Sequence, residues 1–491
     1  MFGERPVIEI LLSIMCQRNL RGQCRKCKNC RTYLNWRSML LLMLITTLVY
    51  AQAPDTMWTK AYGYGPNAYE AGFSVDQTFD EGYFIVAGKV LDPPGGYEDI
   101  WLLRTDANGD TLWSQEYGTW AKSDLAYDGQ QTGDSGYVVV GATNAYSSNE
   151  EDYQLWLLKT YANGDTTWTA RMGIDSMSYV GRSVQQTVDG GYIIAGKRRD
   201  YWGDEDLILA KTDASGNFTW CKIYGGDSTD GAHSVQQTSD AGYIVVGTTR
   251  SFGAGFYDVW LLKTDAIGDT IWSKVYGDYD YDCGRSVQQT PDGGYIIAGW
   301  RTTFPSNHQD IWLLKTDSDG DTLWTRTYGG QWGDFGFAVD NTSDSCYIVA
   351  GRILSTPGDG DFYFVKTDAN GDTVWTKTLG GPDYESPDDI MQTTDEGYIV
   401  VGYTESFGAG GPDVWLVKTE PDLGIEDNLL ASVDYNAIGA TIISGSLRLP
   451  TNKSCKVFDI TGRVVDPTMM KCGIYFLEID KKIVQKVVKV K

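Results

Sequence analysis

Histidine is nearly missing from this chain: its 491 residues hold two, His233 and His308, on segments that read as different loops. No nucleophile elbow, phosphate-binding loop or zinc-type spacing accompanies them, so the commonest layouts for nucleophilic or metal-assisted catalysis find no support. The protein is read as more a binder than an enzyme. Positive charge is scarce too, with 41 Lys and Arg against 65 Asp and Glu. Residues 1–38 take eight of the basic residues and two of the acidic ones, which leaves 33 basic and 63 acidic residues, a net of -30. Such a surface repels phosphate backbones and anionic lipid, which argues against nucleic acid or membrane-surface binding. A neutral glycan, a cationic partner or a divalent cation such as Ca²⁺ stays open, beside the simpler reading of a charge coat that keeps an exported protein soluble. The body also lacks any segment with the pattern of an amphipathic helix. Glycine, by contrast, is abundant at 57 residues, and aromatics make up 13%. Tyr- and Trp-rich runs between tight turns suit a pleated, buried surface, so the chain reads as all-β.

Cysteine is sparse and scattered. Cys24, Cys27 and Cys30 stand at metal-like spacing, but no histidine or second cysteine pair lies near to complete four ligands. They precede "MLLLMLITTLVYAQA", an apolar run of signal-peptide length that ends in small residues and is short for a bilayer span. Residues 1–51 are therefore read as leader and signal peptide, cut after Ala51, with the cysteine-bearing stretch an extended basic region or an over-long start. Of Cys221, Cys283, Cys346, Cys455 and Cys472, only the last two suggest a disulfide.

What fills the rest is a repeat. "RSVQQTPDGGYIIAGW", Arg285 to Trp300, recurs with changes so that Tyr83, Tyr137, Tyr192, Tyr243, Tyr295, Tyr347 and Tyr398 align at intervals of 54, 55, 51, 52, 52 and 51 residues. That is the length of one propeller blade. Each unit divides into four strand-length runs, A to D, exemplified by "RSVQQT", "GYIIAGW", "DIWLLKTD" and "GDTLWTRTYGG". The A–B turn carries Thr, a variable residue and Asp, and six of seven copies place Gly before the Tyr; the sixth has Cys346. Glycine there is expected to supply a positive φ, and the Cys346 turn to be strained or differently shaped. Gly109, Gly164, Gly216, Gly268, Gly320 and Gly371 lie four residues before Trp113, Trp168, Trp220, Trp272, Trp324 and Trp375, indoles placed to pack between blades. Gln77, Gln131, Gln186, Gln237, Gln289, Asn341 and Gln392 recur before the Thr of each A run and read as a structural amide ring near the axis.

The two ends complete the count. Seven A, B and C runs follow one another, yet no D run follows "DVWLVKTEPD", while "DTMWTKAYG" stands as a D run before the first A. Residues 52–424 are thus expected to form a seven-bladed β-propeller closed by its N-terminal strand.

In antiparallel blades the tight A–B and C–D turns share one face and the variable B–C and D–A loops share the other, which is where binding is expected. Those loops interleave Asp with aromatics. The ligand-face candidates are Tyr201, Trp202, Asp204, Asp227, Asp230, Asp278, Tyr279, Asp280, Trp332, Asp334 and Tyr384. Asp278, Asp280 and Asp282 offer hard oxygens for Ca²⁺, and loop carboxylates leave a carbohydrate-active hydrolase or lyase as the alternative. "TDSDGDTLW" approaches the Asp-box turn of sialidases but has its Trp four residues after the Gly instead of three, and the EF-hand spacing is likewise missing.

Residues 425–491 are a linker and a basic tail. "VFDITGRVV", "GIYFLEI" and the Lys-ending "KVVKVK" resemble the C-terminal sorting domain of proteins exported by the type IX (Por) secretion system of Bacteroidetes-like bacteria. The resemblance implies a small β-sandwich-like domain with Asp459, Gly462, Arg463, Gly473 and Tyr475 as the sorting motif and Lys489 and Lys491 at its end. It further implies the type IX machinery as partner and secretion or outer-membrane surface anchoring as the destination, where an extracellular glycan or surface protein would be met.

Overall fold

The structure is a computed structural model that describes residues 53–91, 96–119, 121–146, 152–174, 176–303, 308–356 and 359–422, with strands of the tail at 440–443, 455–459, 464–465, 473–479 and 482–489. No helix occurs among the described residues. The repeats form seven four-stranded antiparallel sheets. Six run A to D in chain order, as in Asp230–Gln237, Tyr243–Thr249, Asp258–Thr264 and Thr270–Tyr276. The seventh takes Glu385–Gln392, Tyr398–Thr404 and Asp413–Thr419 from the end of the ring and Thr56–Tyr62 from its beginning. Thr59 pairs with Val417 and Tyr62 with Val414, so the N-terminal strand closes the ring as the offset of the repeats requires.

Burial follows strand position. The B and C strands Tyr137–Thr143 and Asp258–Thr264 are buried throughout, because neighbouring blades cover both faces. D strands such as Thr111–Tyr117 alternate between exposed and half-buried, as outer edges do. Apolar clusters bridge consecutive blades; one joins Ile193 and Leu209 to Val235, Val245 and Trp260. Each D-strand Trp meets the buried Tyr of the next blade, from Trp113 on Tyr137 at 5.7 Å to Trp220 on Tyr243 at 6.1 Å. Trp58 of the closing strand makes the same contact with Tyr83 at 5.8 Å.

The A–B turn is built differently from the expectation. Its positive φ falls one residue earlier, at Glu81, Ser135, Gly190, Ala241, Gly293, Ser345 and Glu396, with φ between 64° and 85°. The glycine before the Tyr is needed for space. A Cβ on Gly242 would lie 2.2 Å from the Thr264 carbonyl oxygen and 2.6 Å from Lys263 Nζ. That buried lysine, or Arg104 in the first blade, reaches under the turn to its Asp in all seven blades, as Lys159 does to Asp134 at 3.0 Å and Lys418 to Asp395 at 2.9 Å. At Cys346 the turn keeps its shape, with Ser345 at φ 64° and Thr342 N–H donating to the Cys346 carbonyl at 3.0 Å. Lys366 of that blade keeps its turn Asp344 at 3.2 Å and also donates to Tyr398 Oη at 2.8 Å and faces Asp422 at 3.3 Å.

In the tail, the described strands form one sheet in the order 440–443, 482–489, 473–479, 455–459 and 464–465. Asp459 pairs with Tyr475, and Gly473 with Lys489. Gly462, Arg463 and Lys491 lie outside the described residues, as do the leader, Cys24, Cys27, Cys30 and Cys472.

Candidate functional site

The A strands line the axis, and successive positions along them form successive layers. Nearest the A–B turns, the recurrent amides tie each blade to the one before it. Gln186 Oε1 accepts from Gly133 N–H at 2.8 Å and Gln289 Oε1 from Ser239 N–H at 2.8 Å. Six of the seven junctions carry this bond, at 2.7 to 2.9 Å, including Gln77 with Thr394 across the closure. The exception is chemically matched: the fifth turn presents Pro291, which has no N–H, and the next blade presents Asn341 in place of Gln. Asn341 Nδ2 instead donates to Gln288 Oε1 at 2.9 Å. One residue earlier a second belt runs round the ring, with Gln131 N–H on Asp76 at 2.7 Å and Gln392 N–H on Asp340 at 2.8 Å. These layers are structural.

The third layer up is different. In all seven A strands the register slips by one residue at the same place: Phe73, Tyr127, Arg182, His233, Arg285, Phe337 and Asp388 each sit in a β-bulge. A bulge leaves one residue without a ladder partner and re-aims its side chain. Here all seven line a cavity of about 330 Å³ on the axis, with Ser74, Asp128, Ser183, Ser234, Ser286, Ala338 and Asp389 beneath them. A second hollow of about 260 Å³ continues down the channel toward the amide belts. The bulged residues are half-buried, so they keep a face on the cavity.

The charge pattern round this pocket is uneven. Arg182, His233 and Arg285 come from three consecutive blades. Phe73 and Tyr127 adjoin them on one side, their rings 6.0 Å apart, and Phe337 and Asp388 on the other. Arg182 lies over the Tyr127 ring at 4.2 Å, and Arg285 stands 4.0 Å from Asp388. Burial, with Arg285 and Arg182 close by, holds the His233 imidazole well below its ordinary range, so it is neutral. Burial pushes the Asp388 carboxyl up to about 7 against the pull of Arg285 and Arg352. It pushes Asp389 up to about 8, although Asp389 accepts from Val75 N–H at 3.0 Å. His233 therefore belongs to the axial pocket and not to a loop, because the bulge turns it inward.

The loop candidates do not converge on one place. Tyr201 and Trp202 are 72% and 87% exposed and pack edge to face at 5.3 Å on a B–C loop of the third blade, where Asp204 is half-buried and its N–H donates to Asp200 at 3.0 Å. Asp227 and Tyr279 are exposed and Asp280 is half-buried. Trp332 faces His308 at 6.0 Å. Asp278 holds Arg301 at 2.6 Å, and Asp282 is buried and accepts from Asp278 N–H at 2.9 Å, so the aspartates of that loop serve the loop itself. Asp230 and Asp334 are 1% and 0% exposed and clamp their D–A loops. Asp230 accepts from Gly226 N–H at 2.9 Å and Ser251 Oγ at 2.7 Å, and Asp334 from Leu354 N–H at 2.9 Å. Among the described residues no group of three or more His, Cys, Asp or Glu is arranged to hold a metal ion. Tyr384 alone reaches toward the pocket, through Arg352, which lies 5.0 Å over Tyr384 and 5.8 Å over Phe337.

The signal for the pocket was in the repeat. Between a recurrent small residue and "SVQQT", one position reads Phe, Tyr, Arg, His, Arg, Phe and Asp in successive copies. A position that takes five residue types in seven blades, within a strand that otherwise repeats, is free of the repeat's own packing demands.

Strand count, order and closure define the chain as a seven-bladed β-propeller with an axial pocket. No protein-family profile matches it. It is 27% identical over 202 residues to the regulatory protein FlaEY of Caulobacter vibrioides, a match that covers 35% of this chain and 21% of that protein. It is 19% identical over 398 residues to the uncharacterized WD repeat-containing protein L264 of Acanthamoeba polyphaga mimivirus, covering 63% of this chain and 26% of that protein. The chain thus spans about a fifth to a quarter of the length of these curated relatives. Among solved structures it is similar to a protein of unknown function from Dyadobacter fermentans, with 10% identity and a TM-score of 0.41, covering 74% of this chain and 98% of that one.

Proposed function

We propose that this protein is a non-catalytic binding propeller that takes its ligand at the axial pocket, with the variable-loop face as the approach. The observation that carries the reading is the seven-fold bulge, which frees one position per blade from the repeat, fills the seven with five kinds of side chain and aims all of them at one cavity. A glycan or a surface protein is the ligand class this composition suits, since aromatic faces and hydrogen-bonding side chains stand together there. Residues 1–51 and the tail support export by a signal peptide and the type IX system, followed by release or outer-membrane surface anchoring. The test is a glycan array probed with the exported protein, with the bound glycans analysed for cleavage. Binding without products is expected; turnover of the bound glycan would overturn the non-catalytic reading. Deleting residues 440–491 is expected to leave the protein in the periplasm, and unchanged surface delivery would remove the sorting assignment.

One observation favours a second reading. Burial raises the Asp388 and Asp389 carboxyls to about 7 and about 8 inside the pocket, the direction in which the acid of a glycoside hydrolase or lyase must be shifted. Under that reading Asp388→Asn abolishes product formation while binding survives.

A further inference from the structure

Resting on the axial-pocket reading, we infer that the pocket is a carboxylate receptor: its ligand carries a carboxylate on a ring of about monosaccharide size, as a uronic acid does, seated between Arg182 and Arg285 with His233 behind it. The first ground is an unmet need. Arg182 has Nε buried without an acceptor and lies over the Tyr127 ring, which offers a π face and no anion; Glu205 acts on it only as a charge, with no ion pair formed among the described residues. Arg285, likewise, has its nearest carboxylate oxygen 4.0 Å away on Asp388, beyond hydrogen-bond distance. Two guanidinium groups on one short arc repel each other, and burial, with Arg285 close by, loosens the hold of Arg182 on its proton. A guanidinium enclosed by protein is ordinarily matched to a carboxylate in fork geometry. The buried Lys or Arg beneath each A–B turn, by contrast, has a carboxylate partner within 3.2 Å.

The second ground is the shape of the rest of the pocket. Of the carboxyls that line it, only Asp388 faces one of the two arginines, at 4.0 Å from Arg285. Asp128 is taken up by Val184 N–H at 2.8 Å and Ser74 Oγ at 3.0 Å. Asp389 accepts from Val75 N–H and Ile390 N–H, and burial raises Asp388 to about 7 and Asp389 to about 8, so that each takes up a proton more readily than an ordinary carboxylate. A protonated carboxyl is a donor, suited to a sugar hydroxyl or to the second oxygen of a bound carboxylate. Phe73, Tyr127 and Phe337 give the apolar faces on which a ring rests. The protein as a whole repels anions, so this arc is a local reversal of sign within an acidic molecule, which makes the pocket selective for an anion small enough to enter it.

The test titrates the full chain by calorimetry with glucuronate and galacturonate, with their neutral methyl esters, and with polygalacturonate to separate a free acidic sugar from one within a chain. The acids are expected to bind and the esters to bind at least about tenfold more weakly, as the loss of one charge-assisted pair requires. Arg182→Gln and Arg285→Gln are each expected to weaken the acid about tenfold or more while leaving the melting temperature unchanged or raised, since each removes an unmatched buried charge. Esters binding as well as acids, or Arg182→Gln and Arg285→Gln both binding normally, would overturn the inference. So would the absence of acid binding at millimolar concentration. In each of those cases a neutral glycan whose binding is lost in His233→Trp would leave the axial-pocket reading standing, and a glycan that His233→Trp still binds would remove that reading as well.

Discussion

The pairing of Pro291 with Asn341 makes a quantitative prediction about how the blades hold together. At six junctions a turn N–H donates to the next blade's Gln Oε1 at 2.7 to 2.9 Å; at the seventh the donor is absent and the acceptor is shorter. Pro291→Ser restores the donor alone and gives up the stiffening of the unfolded chain that proline provides, a loss of about 0.4–1 kcal/mol. Asn341→Gln restores the acceptor alone but gives up the Nδ2 bonds to Gln288 Oε1 at 2.9 Å and the Gln289 carbonyl at 3.1 Å, at about 1 kcal/mol. Together the two changes recreate the junction of the other blades, so the double variant is expected to recover about 0.5–1.5 kcal/mol relative to the sum of the singles. Urea denaturation of all four proteins measures this coupling directly. Additive effects, with no coupling outside error, would refute the claim that the amide belt contributes through these turn bonds.

Other perturbations follow from the same geometry. Gly242→Ala keeps an unstrained φ but drives a Cβ against the Thr264 carbonyl and Lys263, and is expected to cost about 1–3 kcal/mol by chemical denaturation. Asp230→Ala removes a loop clamp and is expected to cost about 2–3 kcal/mol, whereas Asp280→Ala, on the same face, should stay within about 0.5 kcal/mol. Denaturation at graded pH reads the buried acids. The folded state binds protons that the unfolded chain has released at Asp76 (pushed up to about 6), Glu70 and Asp388 (each about 7) and Asp389 (about 8). Stability from these groups is complete below about pH 4 and is lost as pH rises through about 6 to 8. Asp189 and Asp240 act oppositely: partial burial is outweighed by bonds from Thr187 and Lys211, and from Thr238 and Lys263, which hold each at about 2, so their contribution is lost only as pH falls toward that value. Carboxylate binding should weaken over the same rise from about 6 to 8, as Asp388, facing Arg285 and Arg352, and Asp389, facing Asp128 and Asp340, become anionic opposite Arg182 and neutral His233.

Much of the architecture was legible in the order of residues, because it is encoded redundantly. A Tyr every fifty or so residues, a Trp four residues after a Gly and a D run displaced to the front leave few ways to arrange the strands, and closure through Thr56–Tyr62 follows from counting. What escaped was local register. A bulge has no marker of its own in "AGFSVDQT" or "GAHSVQQT", so the variable position of the A run carries no sign that a slip turns Phe73 and His233 toward the axis, whereas variability in the loops is easy to see. The roles of the A–B glycine and of the C-strand lysine were missed together. Each is explained only by the other's position, across strands that the sequence separates by more than twenty residues. Asp230 and Asp334 looked like ligands because an Asp in a loop reads the same whether it faces solvent or caps its own backbone.

The bulged layer is the proposed ligand seat. The most direct measurement is a glycan array run in parallel on the wild-type chain, on His233→Trp, which fills the axial pocket, and on Trp202→Ala with Tyr279→Ala, which strips exposed aromatics from the loops. Loss of binding in the first variant and retention in the second is the predicted result; retention in the pocket-filled protein with loss in the loop variant would contradict it.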